Sequence, residues 1–170
     1  MKPLISAIIP AHNNEKTIAE AIQSILDQTY KNLELIIIDD NSTDNTHDVA
    51  KKFELSDNRV SVYRLPFDDP NRINKRGRNI NAGYMARNYG MEKARGEWIT
   101  FQDGDDASLL NRIEVQYNLA EQYKADHVCI QWQQYKDKLL GKKLNVNKIF
   151  EEQKDIIISP KEIHNLAKKT

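Results

Sequence analysis

Trp98-Ile99-Thr100-Phe101-Gln102-Asp103-Gly104-Asp105-Asp106-Ala107 decides how the rest of the chain is read. An apolar run drives straight into three carboxylates within four positions, the pattern of a buried strand whose carboxyl end opens into a crevice. Like charges a few ångströms apart raise one another's pKa, so three such acids in a dry place call for a compensating cation. Gly104 lets the backbone turn tightly, so that two acids point at one centre. Hard oxygen ligands suit Mg2+ or Mn2+, and a phosphate-bearing substrate would complete the metal's shell. A bare Asp-x-Asp equally describes a solvated acidic turn capping the next helix. What separates the two readings lies upstream.

Leu4-Ile5-Ser6-Ala7-Ile8-Ile9-Pro10 reads as a short buried parallel strand that Pro10 stops. In the His12-Asn13-Asn14 loop, Asn14 is a candidate cap for a helix over Glu15 to Gln28, with Ile18, Ala19, Ile22, Ile25 and Leu26 at helical spacing. A second strand, Leu33 to Ile38, ends at Asp39-Asp40, and turn and cap residues from Asn41 to Thr46 open a helix to about Leu55. Val60 to Leu65 alternates as a half-buried strand does. Pro66 to Ile80 has no apolar period and carries Arg72, Lys75, Arg76 and Arg78. It reads as a surface excursion that folds over a ligand or as a solvated basic loop. A helix over Ala82 to Ala94 closes at Gly96, the central acid-ended strand follows, and a helix from about Leu109 to Tyr123 turns Leu110, Ile113, Tyr117 and Ala120 inward. Asp126 to Gln133 alternates as a further strand. Past Lys136 the pattern fades, until Ser159-Pro160 opens a helix that the chain abandons at Lys168-Lys169-Thr170, as in a truncated piece.

Strands alternating with helices predict an α/β domain, a mainly parallel sheet flanked by helices on both faces, with ligands bound beyond the carboxyl ends of its strands. Three ends carry polar residues: Pro10-Ala11-His12-Asn13, Asp39-Asp40, and Asp103-Gly104-Asp105-Asp106. Their convergence on one edge is the main sign of a site. His12 reads as a hydrogen-bonding or stacking group rather than a catalytic base. Of the paired acids, Asp39 is expected to face the ligand, while Asp40 with Ser42 caps the helix that follows. No Gly-x-Gly-x-x-Gly follows the first strand and no P-loop occurs, so phosphates must be held mainly by a metal.

Composition sets the outer bounds. In 170 residues, 39% are hydrophobic and 29% charged, an ordinary globular balance for one domain with a real core. Lys+Arg and Asp+Glu both number 25, so polyanion binding would need a local patch. The single cysteine, Cys129, excludes an internal disulfide and reads as a buried, inert thiol in an apolar run. No stretch reaches the apolar length of a membrane span and no signal peptide precedes the first strand, which makes the cytoplasm the expectation, with peripheral membrane attachment open.

Pro10-x-His12-Asn13, Ile37-Ile38-Asp39-Asp40-Asn41-Ser42-Thr43-Asp44-Asn45-Thr46, Ala86-Arg87-Asn88-x-Gly90, Gly96-Glu97-Trp98-Ile99 and Phe101-x-Asp103-x-Asp105-Asp106 together resemble the family-2 glycosyltransferases of the GT-A fold. The motifs come in the family's order and cover roughly the first two-thirds of the chain. The resemblance implies a nucleotide-sugar donor, usually a UDP-sugar, bound with Mg2+ or Mn2+, and a carbohydrate or lipid-linked acceptor. It implies that Asp39 takes the nucleobase, with Asp40 and the loop of Pro10, Ala11, His12 and Asn13 beside it. Asp103, next to Gly104, would take ribose or metal, Asp105 with Asp106 the metal, and Arg87 would lie near the donor phosphates. On this reading residues 1–135 are the nucleotide-sugar-binding domain and 136–170 begin an acceptor-side region. Three departures stand out: His12 replaces a common aromatic, the Pro66–Ile80 excursion is long, and the downstream catalytic carboxylate has no clear match, Glu151, Glu152 and Asp155 lying outside any motif. The chain is then an inverting glycosyltransferase or its donor-binding portion, or a nucleotide-sugar-binding module without turnover. A nucleotidyltransferase would want a glycine- and basic-rich phosphate loop, which His12-Asn13-Asn14-Glu15 is not.

Overall fold

The computed structural model describes residues 1–68 and 83–129. The basic cluster from Arg72 to Arg78, most of the expected strand over Asp126 to Gln133, and every expectation beyond it lie outside the described residues.

Four strands and four helices alternate: β1 (Ile5–Ala11), α1 (Ile18–Leu26), β2 (Leu33–Asp39), α2 (Thr46–Ser56), β3 (Val60–Arg64), α3 (Tyr84–Lys93), β4 (Trp98–Phe101) and α4 (Arg112–Tyr123). All described strand pairs are parallel, in the order β3-β2-β1-β4. The α/β expectation holds. β1 and β2 are buried along their whole length, as near-continuous apolar runs must be when both faces are covered.

The two faces divide by the strand period of two. Ile5, Ala7, Ile9 and Ala11 of β1, with Leu33, Leu35 and Ile37 of β2, pack with Ile18, Ala21, Ile22 and Ile25 of α1, Ala50 of α2 and Ile113 of α4. Ile8, Ile36 and Ile38 point the other way, to Leu65 and to Ala86 of α3. Burying each of these isoleucines fully is worth about 1.5–3 kcal/mol, so this sandwich supplies the core. α3 lies close because residue 90 is glycine: a Cβ there would stand 2.5 Å from Ile8 Cγ2.

Several expectations change. Among the described residues β4 ends the strand order, with Ile99 and Phe101 exposed, and the strand expected over Asp126 to Gln133 lies mostly outside them. Pro10 does not stop β1: it sits in register with Ile38, and Ala11 with Asp39. The Gln102 N–H donates to the Ile8 carbonyl at 3.0 Å, so β1 groups of that parity face β4, whose pairing has ended by Pro10. The missing N–H of proline therefore costs no ladder bond. The helix expected from Glu15 begins at Ile18, and Ala21 rather than Ala19 faces the core. Asp126 to Cys129 form no strand, and Cys129 is exposed rather than buried.

Candidate functional site

The chain runs from β1 outward to β2 and β3, then returns to place β4 on the other side of β1. Such a reversal leaves a crevice beyond the carboxyl ends of the two strands that flank it. β1 and β4 are those strands, and their following segments are Pro10–Asn14 and Gln102–Asp106.

The first strand end is tied to the second. The Asp40 N–H donates to the Ala11 carbonyl at 2.8 Å, and the Asn13 N–H to Ser42 Oγ at 3.0 Å. Asn13 Oδ1 accepts from the Thr43 N–H at 2.8 Å. The backbones of Asn13 and Asn41 are left-handed, with φ of 55° and 50°, a conformation asparagine tolerates better than most side chains. His12 Nδ1 lies 2.6 Å from the Asp40 carbonyl and Nε2 lies 3.2 Å from Asn13 Nδ2, so the tautomer protonated on Nδ1 satisfies both. The ring thus braces the loop. Asn14 does not cap α1 with its side chain: Oδ1 accepts from the His12 N–H at 2.9 Å, while its carbonyl receives the N–H groups of Thr17 and Ile18.

Asp39 is expected to face a ligand, but its carboxylate is fully buried among its own neighbours. Oδ1 accepts from the Ser42 N–H at 3.0 Å, and Oδ2 lies 2.8 Å from Arg64 Nε and 3.2 Å from His47 Nδ1. Asp40 is also buried. At the entry of α2, Asp44 Oδ1 accepts from the Thr46 N–H at 2.9 Å.

The acidic segment meets the first loop through Gly104. The Thr17 hydroxyl donates to the Gly104 carbonyl at 2.9 Å, and a Cβ on Gly104 would lie 2.9 Å from Asn14 Oδ1 and 3.3 Å from the Pro10 carbonyl oxygen. Its φ is not in the left-handed region, so closeness rather than an unusual turn makes glycine necessary here. Arg87 of α3 reaches across and pairs with the Asp103 carboxylate, its guanidinium 6.0 Å from the Phe101 ring centroid. Arg87 also lies beside Gly83, which packs against Pro10.

The three acids do not form one ligand set. Among the described residues, no three His, Cys, Asp or Glu side chains are grouped to hold a metal ion. Asp103 is engaged by Arg87, whereas the carboxylates of Asp105 and Asp106 make no hydrogen bond or ion pair among the described residues. Burial, then the charges of Asp105 and Asp103, push the Asp106 carboxyl above its ordinary value. Two adjacent, mutually repelling carboxylates suit a cation that takes one or two protein oxygens and completes its shell with phosphate, as Mg2+ does. The donor set fits such an ion in the presence of a diphosphate.

Sequence reading missed Arg64 and His47 as partners of Asp39, although the parallel register sets Asp39 beside Arg64. It also missed Arg112, a buried arginine at the start of α4. Nothing in the local pattern separates that residue from a solvated one.

Comparison with known proteins follows the same lines. The profile of the family described as Glycosyl transferase family 2 matches residues 6–168. The Escherichia coli protein named UDP-Glc:alpha-D-GlcNAc-diphosphoundecaprenol beta-1,3-glucosyltransferase WfgD is 38% identical over 116 residues, 68% of this chain and 40% of that protein. The chain spans 41%, 42% and 40% of the length of three curated relatives it matches. Among solved structures, S. aureus TarS 1–349 in complex with UDP-GlcNAc superposes with a TM-score of 0.57 at 21% identity, over 78% of this chain and 38% of that one. The mannosyltransferase PcManGT from Pyrobaculum calidifontis, in complex with GDP-Man and Mn2+, gives 0.51 at 21% identity over 63% and 29%. The sheet and its flanking helices are thus those of the GT-A glycosyltransferases. With residues 6–168 of its 170 matched by that profile, the chain belongs to glycosyl transferase family 2.

Proposed function

We propose that this chain is the donor-binding part of a metal-dependent, inverting glycosyltransferase that moves a sugar from a UDP-sugar to a glycan or lipid-linked acceptor. The observation that carries the reading is the meeting of three strand ends at the β1/β4 reversal, with Gly104 packed against Pro10 and Asn14 and the Asp40 N–H bonded to Ala11. The names of WfgD and of the TarS complex supply the UDP-sugar donor class, that of PcManGT supplies Mn2+, and that of WfgD a diphosphoundecaprenol-linked acceptor.

In this reading the rim of Pro10, Ala11, His12 and Asn13 with Asp40 receives the nucleobase. Asp39 acts from behind, fixing the Asp40–Ser42 turn through the Ser42 N–H. Asp103 with Gly104 faces the ribose, Arg87 orients Asp103 beside the donor phosphates, and Asp105 with Asp106 would hold Mg2+ or Mn2+. When bound, the ion neutralises the charge that grows on the leaving diphosphate. The acceptor hydroxyl needs a carboxylate base, which in this reading lies outside residues 1–135. A lipid-linked acceptor would bring the protein to the cytoplasmic membrane surface as a peripheral visitor, and no described helix is long and apolar enough to cross a membrane.

The chain's span of about two-fifths of its relatives also favours a second reading, in which it binds the donor but turns nothing over by itself. Calorimetric titration of UDP, with and without Mn2+, tests the core of both. Metal-dependent binding in the micromolar range, roughly −8 kcal/mol, is expected. Asp105→Ala should remove the metal dependence, and an unchanged titration would overturn the metal assignment. Transfer by the full-length protein but not by residues 1–170 would select the second reading.

A further inference from the structure

The acidic loop between β4 and α4, residues 102–111, is held at two places by different means. Its second half is anchored to α1 and to Gln28 just beyond that helix. The Ser108 N–H donates to Ser24 Oγ at 3.0 Å, Gln28 Nε2 to the Leu109 carbonyl at 2.8 Å, and the Ile113 N–H to Gln28 Oε1 at 2.9 Å. Its first half, which carries the carboxylates, has the Thr17 contact to Gly104 and little else to α1.

Arg112 joins the halves. Its Nε donates to Ser108 Oγ at 2.7 Å, and its Nη1 donates to Thr100 Oγ1 of β4 at 2.8 Å and to Gln116 Oε1 at 3.0 Å. The Ser108 hydroxyl in turn donates a hydrogen bond to Gln102 Oε1, and Gln102 immediately precedes Asp103. The guanidinium is buried, with 8% of the residue exposed, and among the described residues no carboxylate pairs with it. Its Nη2 has no hydrogen-bond partner there either. A buried guanidinium whose described partners are all neutral is costly to bury, so its presence asks for a return elsewhere. A planar fork that grips three neutral oxygens in fixed directions does what a lysine point charge does not. Among the described residues it also leaves Asp105 and Asp106 without a salt-bridge partner.

We propose that Arg112 is a positioning residue which, through Ser108 and Gln102, sets the Asp103–Asp106 segment so that Asp105 and Asp106 meet a divalent cation under the donor diphosphate. The inference rests on the donor-and-metal reading given above. Burial lowers the Arg112 guanidinium to about 10, which leaves it charged at neutral pH.

The test uses the full-length protein with Ser108→Ala and Arg112→Lys, measuring Mn2+ affinity in the presence of UDP, UDP affinity without metal, and thermal stability. Loss of a direct outer partner of a metal ligand weakens metal binding by about ten- to a hundredfold; acting one step further out, both variants are expected to lose about tenfold in Mn2+ affinity, while metal-free UDP affinity falls by less. Ser108→Ala keeps the Ser24 contact and removes only the hydroxyl link, so it remains informative if Arg112→Lys fails to fold. A wild-type Mn2+ affinity in Ser108→Ala, with stability alone reduced, would show a structural role and overturn the proposal. A wild-type protein that binds UDP with no response to Mn2+ would instead remove the metal reading, and this inference with it.

Discussion

At the residue scale, neighbouring acids of identical chemistry take different places because a strand alternates. Odd positions of β2 face α1 and α2, so Asp39 turns under the start of α2 and meets His47 and Arg64. Even positions face α3, and Asp40 follows the ladder out of that set. The period was present in Leu33 to Ile38, and counting it through to Asp39 would have given the orientation; the identity of the partners would not have followed. The two left-handed asparagines make a sharper case. Asn13 holds φ 55° and gives Oδ1 to Thr43, so Asn13→Ala introduces left-handed strain and removes an acceptor. A loss of about 1–2 kcal/mol is expected in urea denaturation. Asn13→Gly should lose less, because glycine accepts the backbone geometry.

At the element scale, what was legible depended on whether local pattern or neighbourhood decided the outcome. β1 and β2 were readable because burial on both faces demands continuous apolar runs. β4 pairs with β1 on the side away from β2, an order set by crossover connections that no short run records. The contact of α3 with the sheet hangs on Gly90, and Gly90→Ala would drive a methyl group into Ile8. About 1–3 kcal/mol of destabilisation is expected from such overpacking, against the gain alanine normally brings inside a helix, so a more stable variant would refute the account. Near the amino ends of the inner strands, the Glu34 carboxylate receives the Ser6 hydroxyl at 2.7 Å, the Arg95 N–H at 2.7 Å and the Arg95 guanidinium at 2.7 Å. Burial opposes its ionisation, but the Ser6 and Arg95 bonds outweigh that and hold it below its ordinary value of 4.5. A carboxyl lowered on folding contributes stability above its unfolded value, and that contribution fades as pH falls through the folded one. Glu34→Gln should therefore be less stable than wild type at neutral pH, and the two urea midpoints should converge on acidification below 4.5.

At the scale of the whole molecule, the parallel order with its reversal at β1 gathers groups from residues 10–14, 39–42, 87 and 103–106 along one edge. Sequence announced that edge because three apolar runs each ended in polar residues, and it announced the family because the motifs kept their order. It did not announce that Asp103 would be taken by Arg87, leaving Asp105 and Asp106 to crowd each other. That crowding yields a prediction about the protein as a unit. A ligand that binds only the folded state stabilises it by about 2.7 kcal/mol at a hundred times its dissociation constant. For a domain of this size each kcal/mol raises the melting temperature by about 2–4 °C. UDP with Mn2+, supplied at that excess, should thus raise the melting temperature by about 5–10 °C, and either component alone by much less. Asp105→Asn removes one of two repelling charges as well as a metal ligand. Its melting temperature without ligands should match or exceed that of the wild type, while the joint response to UDP and Mn2+ collapses. If instead the variant melts lower in the absence of ligands and keeps the joint response, Asp105 is a structural residue of the loop and the ion sits elsewhere.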